Sequence, residues 1–184
     1  MRKLLFLAPL MVAALPGAAL AQTSNTSTKN VGVIGTAPAM CFAGTVTGNG
    51  SYDLGVLIDT TTGQLRTDLS APPKVLVGSF CTGRSTITVA ASPLAAQNST
   101  VAPPDGFSRQ VNYTATATGW TTTPASYTTG AAAQPAATQT RASAFTGDIT
   151  VAISDFTTSG GQSLRLVADD SYLGVVTVTL AAVN

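Results

Sequence analysis

The chain has 184 residues, is 45% hydrophobic and only 9% charged, and contains no histidine; its eight acidic residues are all aspartate. A soluble domain usually carries about a quarter of charged residues; here roughly thirty threonines and 17 glycines take that room. Without His and Glu, most acid–base designs, the serine triad and a closed zinc site fall away, and a formal charge of +1 from scattered basic residues gives no nucleic-acid face.

The chain opens with Arg2 and Lys3, an apolar run from Leu4 to Leu15, a Pro16–Gly17 break and Ala19–Leu20–Ala21. This pattern predicts a secretory signal over residues 1–21, cleaved after Ala21. About twelve apolar residues interrupted by Pro9 fall short of the roughly twenty needed to span a bilayer, and no cysteine follows the cleavage site to suggest a lipoprotein. Losing Arg2 and Lys3 turns the net charge from +1 to about −1. Export places Cys41 and Cys81 in an oxidising compartment, where they can form one bridge; two buried free thiols are the alternative.

Residues 22–30 are polar and predict a mobile arm within an N-terminal extension over 22–39. Beyond it, no helical stripe appears, and short β-rich runs recur between Gly, Pro, Asn and Asp, so the class is all-β. A hairpin is expected between 43–47 and 51–57 through Gly48–Asn49–Gly50. A short edge element follows at 65–69, then strands at 74–81 and 85–90, the latter with Ile87 and Val89 on one face. Residues 110–117 alternate as a strand, and Trp120 lies just beyond. Residues 121–143 are low in complexity and read as a long surface loop, with an O-glycosylated tract as the sharper alternative. Strands are expected at 147–153 and 172–183; in the last, Val176, Val178, Leu180 and Ala182 share a face opposite Thr177 and Thr179. A long alternating strand so near the chain end, where fraying is usual, calls for a central place or an outside partner. An outer-membrane barrel is disfavoured by too few strands with aromatic girdles.

The remaining motifs have structural readings. Asn25 and Asn98 head N-glycosylation triplets that carry no meaning in a bacterial host. Asp169–Asp170 reads as a turn rather than a calcium site, Asp53, Asp59 and Asp68 are dispersed, and Ser51 and Ser85 lack a histidine partner. Lys29 and Lys74 lack the helper glutamate of an isopeptide crosslink. Trp120 reads as packing, with a ligand-contacting sugar platform as the alternative.

Cys41, Ser51–Gly55, Val77–Gly83 and Ser171–Leu180, taken in order, resemble subunits of chaperone-usher pili, in the spore coat protein U-like branch that includes archaic pilins. The resemblance covers about half of the mature chain. It implies a pilin-like domain over 40–184: an immunoglobulin-like sandwich lacking its last strand, completed by a donor strand from another subunit. It also implies an acceptor edge at Val176, Val178 and Leu180, and a donor between residues 26 and 39 with Val31, Val33, Gly35 and Ala37 on one face. The implied partners are identical or homologous subunits, a periplasmic chaperone, an outer-membrane usher and a surface receptor. The implied role is a non-enzymatic extracellular fibre subunit without cofactor or metal, exported through the periplasm to the cell surface. The alternative is a secreted adhesin or glycan- or protein-binding module working through Trp120 and the 121–143 segment.

Overall fold

A computed structural model describes residues 25–183; the expected signal segment lies outside them. Residues up to Thr36 and residues from Ala37 onward separate into two units. In the first, the described residues carry no regular secondary structure and are exposed, Val31 at 87%, Val33 at 98% and Ile34 at 97%.

The second unit is all-β. In chain order its strands are β1 (Cys41–Phe42), β2 (Thr45–Val46), β3 (Lys74–Cys81), β4 (Ser85–Ala91), β5 (Leu94–Ala96), β6 (Phe107–Ser108), β7 (Gln110–Thr118), β8 (Ala125–Thr128), β9 (Thr138–Arg141), β10 (Phe145–Thr158), β11 (Arg165–Leu166), β12 (Tyr172–Leu173) and β13 (Val176–Ala182). The larger sheet runs β1-β3-β10-β7-β5-β12, with β2 also on β3 and β8 also on β7. A smaller sheet runs β13-β4-β9, and β6 and β11 form a short parallel pair. Leu76, Tyr113, Ala115, Ala117, Ile149 and Val151 of the larger sheet pack with Ile87 and Val89 of the smaller one, so the core lies between two antiparallel layers.

The two sheets are joined at a corner. β4 leaves the small sheet at Ser92–Pro93 and continues as β5 in the large one, and β12 crosses the other way through Gly174 into β13. A side chain at 174 would meet the Ser92 carbonyl at 2.9 Å and the Pro93 carbonyl at 3.1 Å, so only glycine lets the two backbones cross this closely. The expected single strand over 172–183 is therefore two strands, bent at 174–175.

Three other expectations change. The hairpin of 43–47 with 51–57 does not form: β2 pairs with β3, Thr45 opposite Val77, and 51–57 belongs to no strand. Gly48 and Gly50 do adopt positive φ in the intervening turn, at 70° and 72°. The 65–69 element reduces to an isolated bridge of Leu65 with Ile58. The 121–143 segment is not a surface loop, since it holds β8 and β9, with Ala125 fully buried and Ala137 nearly so.

Candidate functional site

β13 carries the sequence's own periodicity into space. Val176, Val178, Leu180 and Ala182 are half-buried, while Thr177, Thr179 and Ala181 between them are exposed. The first three side chains pack against the core cluster. They pair with β4 in strict antiparallel register, Val178 opposite Val89 and Leu180 opposite Ile87. Ile87 and Val89 are completely buried, whereas their β13 partners on the same face are not. The difference follows from position: β4 has neighbours on both sides, and β13 ends its sheet.

The backbone sharpens this asymmetry. Ser92 N–H donates to Val175 O and Val183 N–H to Arg84 O, each at 2.9 Å. In an antiparallel ladder, directly opposed residues alternate between exchanging hydrogen bonds and pointing theirs outward. The parity set by 175 and 183 turns the N–H and C=O groups of Val176, Val178, Leu180 and Ala182 away from β4, toward the side where no strand among the described residues pairs with them. The residues that send apolar side chains inward are thus the ones that offer main-chain groups at the open edge. No charged side chain interrupts β13, and such an edge is a template for another strand.

β1 and β3 approach β13 to within 8 Å between Cα atoms without forming a ladder to it. β1 is only two residues long, too short to hold itself by main-chain bonds. The disulfide supplies the missing hold: Cys41 and Cys81 are directly opposed, with Cα atoms 4.1 Å apart and Cys81 buried. The predicted bridge is present, and it ties down the terminal strand of the large sheet. At the beginning of β13, the Tyr113 hydroxyl donates to Val175 O at 3.4 Å, and burial pushes its pKa up to about 12. Tyr172 and Leu173 of β12, which ends the larger sheet, line an open cleft of about 910 Å³ together with Leu54 and Leu57.

Of the expected donor residues, Val31, Val33 and Gly35 lie in the first unit and Ala37 begins the second; all are exposed and outside any strand. Trp120 does not present a ligand platform. It is 1% exposed, its ring centroid stands 4.3 Å from that of Phe145, and Arg141 donates to its carbonyl at 2.7 Å. A side chain so enclosed works as core packing.

The dispersed aspartates serve turns. Asp53 accepts from Gly55 N–H, Asp59 from Thr61 and Thr62 N–H, and Asp68 pairs with Arg66. Asp169 accepts from the N–H groups of Asn98, Ser99 and Ser171. Desolvation pushes the Asp169 carboxyl up, but these donors outweigh it and hold the group below the usual carboxylate range. Among the described residues, no three His, Cys, Asp or Glu side chains converge as a metal site. Lys74 Nζ stands 3.3 Å from Asn49 Oδ1 at the exposed 48–50 turn, with no acidic group joining the contact. The sequence places Ala182 on the face of Val176, Val178 and Leu180, and the structure adds it to the open edge that those three form. Comparison with family models, curated proteins and solved structures finds no match to this chain.

Proposed function

We propose that the protein is a structural, non-enzymatic subunit of an extracellular fibre, joined to its neighbours by strand donation. The observation that carries this reading is the open edge of β13, with its half-buried apolar row and its outward main-chain groups. A strand laid along that edge pairs its main chain with Val176, Val178, Leu180 and Ala182 and covers their side chains. The donor is the 26–39 segment of a second copy, whose Val31 and Val33 are the large side chains available to enter the row. At roughly 1.5–3 kcal/mol for each fully buried aliphatic side chain, two valines give a modest gain beside the backbone bonds.

The threonine-rich, charge-poor composition suits this role, because it builds strands and leaves few groups for chemistry. The ordered motifs that resemble those of spore coat protein U-like pilins support the same assignment. They extend it to an immunoglobulin-like sandwich delivered by a signal peptide, a periplasmic chaperone and an outer-membrane usher. Deleting residues 22–39 tests the proposal. The expected result is a folded, monomeric chain that binds a synthetic 26–39 peptide; filaments like those of the intact chain from the deletion variant would overturn it.

A further inference from the structure

Apart from the β13 edge, one polar pocket is built rather than incidental. The pairing of β10 with β7 slips between Ser154 and Thr157, and Asp155 inside that slip holds φ at 55°, a left-handed conformation uncommon for any residue but glycine. Bulges of this kind re-aim side chains and are over-represented beside functional sites. Here the bulge walls a pocket of about 400 Å³, within the range of small-molecule sites. Gln64, Arg66 and Thr67 face it from the preceding loop and Gln162 from the turn after β10, while Leu65, Leu69 and Phe156 add apolar surface.

The hydrogen-bonding state of these groups narrows the ligand. Arg66 is committed, since Nε and Nη2 donate to the two carboxylate oxygens of Asp68 at 2.9 and 2.7 Å. No unpaired cation lines the pocket to hold a phosphate or carboxylate, and Asp155 repels either. Asp155 accepts from the Ser154 hydroxyl through Oδ2, which leaves Oδ1 for an incoming donor. Gln64 uses Nε2 on Ser163 O and keeps its carbonyl oxygen. Thr158 also lines the pocket; it is 3% exposed, and its hydroxyl has no partner among the described residues, a state native structures seldom leave unexplained.

We infer that this pocket binds a neutral saccharide. Carbohydrate hydroxyls both donate and accept, which matches an uncommitted carboxylate oxygen and the amides of Gln64 and Gln162. The C–H face of a pyranose matches the leucine and phenylalanine surface. Asp155 supplies the strongest contact, because a hydrogen bond to an ionised acceptor is about twice as strong as a neutral one.

The test titrates the full chain with glucose, galactose, mannose and N-acetylglucosamine, and with glucose 6-phosphate as the anionic control, read by saturation-transfer NMR. At least one neutral sugar is expected to bind and the phosphate to bind more weakly. Asp155→Asn keeps a residue tolerant of left-handed φ and should weaken binding roughly tenfold or more. Gln162→Ala, an exposed change that leaves melting unaltered, should also weaken it and carries the test if Asp155→Asn disturbs the fold. No binding by any of the four neutral sugars, preference for the phosphate, or unchanged affinity in both variants would overturn the assignment.

Discussion

Replacing Val178 and Val89 by alanine, one at a time, separates the covered side of the core from the side that awaits a strand. The two valines face each other across the β13–β4 ladder, yet Val89 is fully buried and Val178 only half so. Val89→Ala removes two buried carbons, roughly 1.5 kcal/mol at about 0.8 kcal/mol for each, and the cavity left behind brings the cost to about 2–3 kcal/mol. Val178→Ala removes the same atoms from a site already partly wetted and open, so its cost in the free chain is about 1 kcal/mol. Once a donor strand covers the row, Val178 becomes a buried residue like Val89. The substitution then costs about 1 kcal/mol more in the complex than in the free chain, roughly a fivefold loss of affinity. Urea denaturation of both variants lacking residues 22–39, followed by titration with the 26–39 peptide, measures the two numbers separately. Equal destabilisation by the two substitutions in the free chain, together with peptide affinity untouched by Val178→Ala, would refute the reasoning.

Replacing Cys41 and Cys81 by alanine, or reducing the bridge, opens a loop with a sequence separation of 40 and should lower stability by about 4 kcal/mol in the chain-entropy account; an unchanged melting temperature would contradict the role given to the bridge. Gly174→Ala forces a carbon to within 2.9 Å of Ser92 O and should cost roughly 1–3 kcal/mol, measured by denaturation, whereas the same change at the open, exposed Gly32 should cost little. Tyr113 has a folded-state pKa raised to about 12 from an ordinary 10, so its contribution is intact below pH 10 and is lost as pH climbs from 10 toward 12. Melting scans across that window should fall for the native chain and fall less for Tyr113→Phe. Asp169 is shifted the other way, so its contribution to the 97–99 and 169–171 clamp is present above the usual carboxylate range and fades as pH drops through it. The protection factors of the Ser99 and Ser171 amides should fall there, and Asp169→Asn should remove most of that acid dependence.

The parts of the fold legible in the sequence are those where one face alternates without interruption. β4, β7 and β13 each place large or apolar residues at every second position, and β3 keeps its expected bounds although its buried residues change parity from Leu76 to Ser79 and Cys81 across Gly78. β10 extends at both ends beyond the expected 147–153; its pairing slips against β3 at Gly147–Ile149, where the extra residue lies on β3, and against β7 at Ser154–Thr157, where it lies on β10. The second slip carries the buried positions of β10 from Ile149 and Val151 to Thr158, so the alternation that marks a strand is broken on paper while the strand continues. β8 and β9 were hidden for a different reason. The buried anchor of β8 is Ala125, opposite Ala117 on β7, while β9 is wholly polar and follows the buried Ala137; small and polar residues give almost no hydrophobic signal though they pack a sheet closely.

The 51–57 run shows the converse. It alternates like a strand, but its expected partner, the 43–47 run, pairs with β3 instead, and 51–57 joins no ladder. Local pattern records which face is apolar and does not record whether a partner is free. For the candidate site, the inward row of Val176, Val178 and Leu180 was readable from period two alone. That the strand ends its sheet, and that its outward main-chain groups belong to the same residues, depends on pairings made with β4 more than eighty residues away. The saccharide pocket left no trace in the sequence, because it joins the 64–69 loop to a bulge at 154–157 whose existence only the register reveals.

Residue-resolved amide hydrogen exchange on β13, before and after assembly, tests the central claim most directly. In the free chain, the amides of Thr177, Thr179 and Ala181 should be protected by β4, while those of Val176, Val178, Leu180 and Ala182 exchange quickly from the open edge. In the assembled state, the second set should become as slow as the first. Fast exchange at those alternate positions in a fully assembled sample, or protection at them already in the isolated chain lacking residues 22–39, would contradict completion of this edge by a strand from another copy.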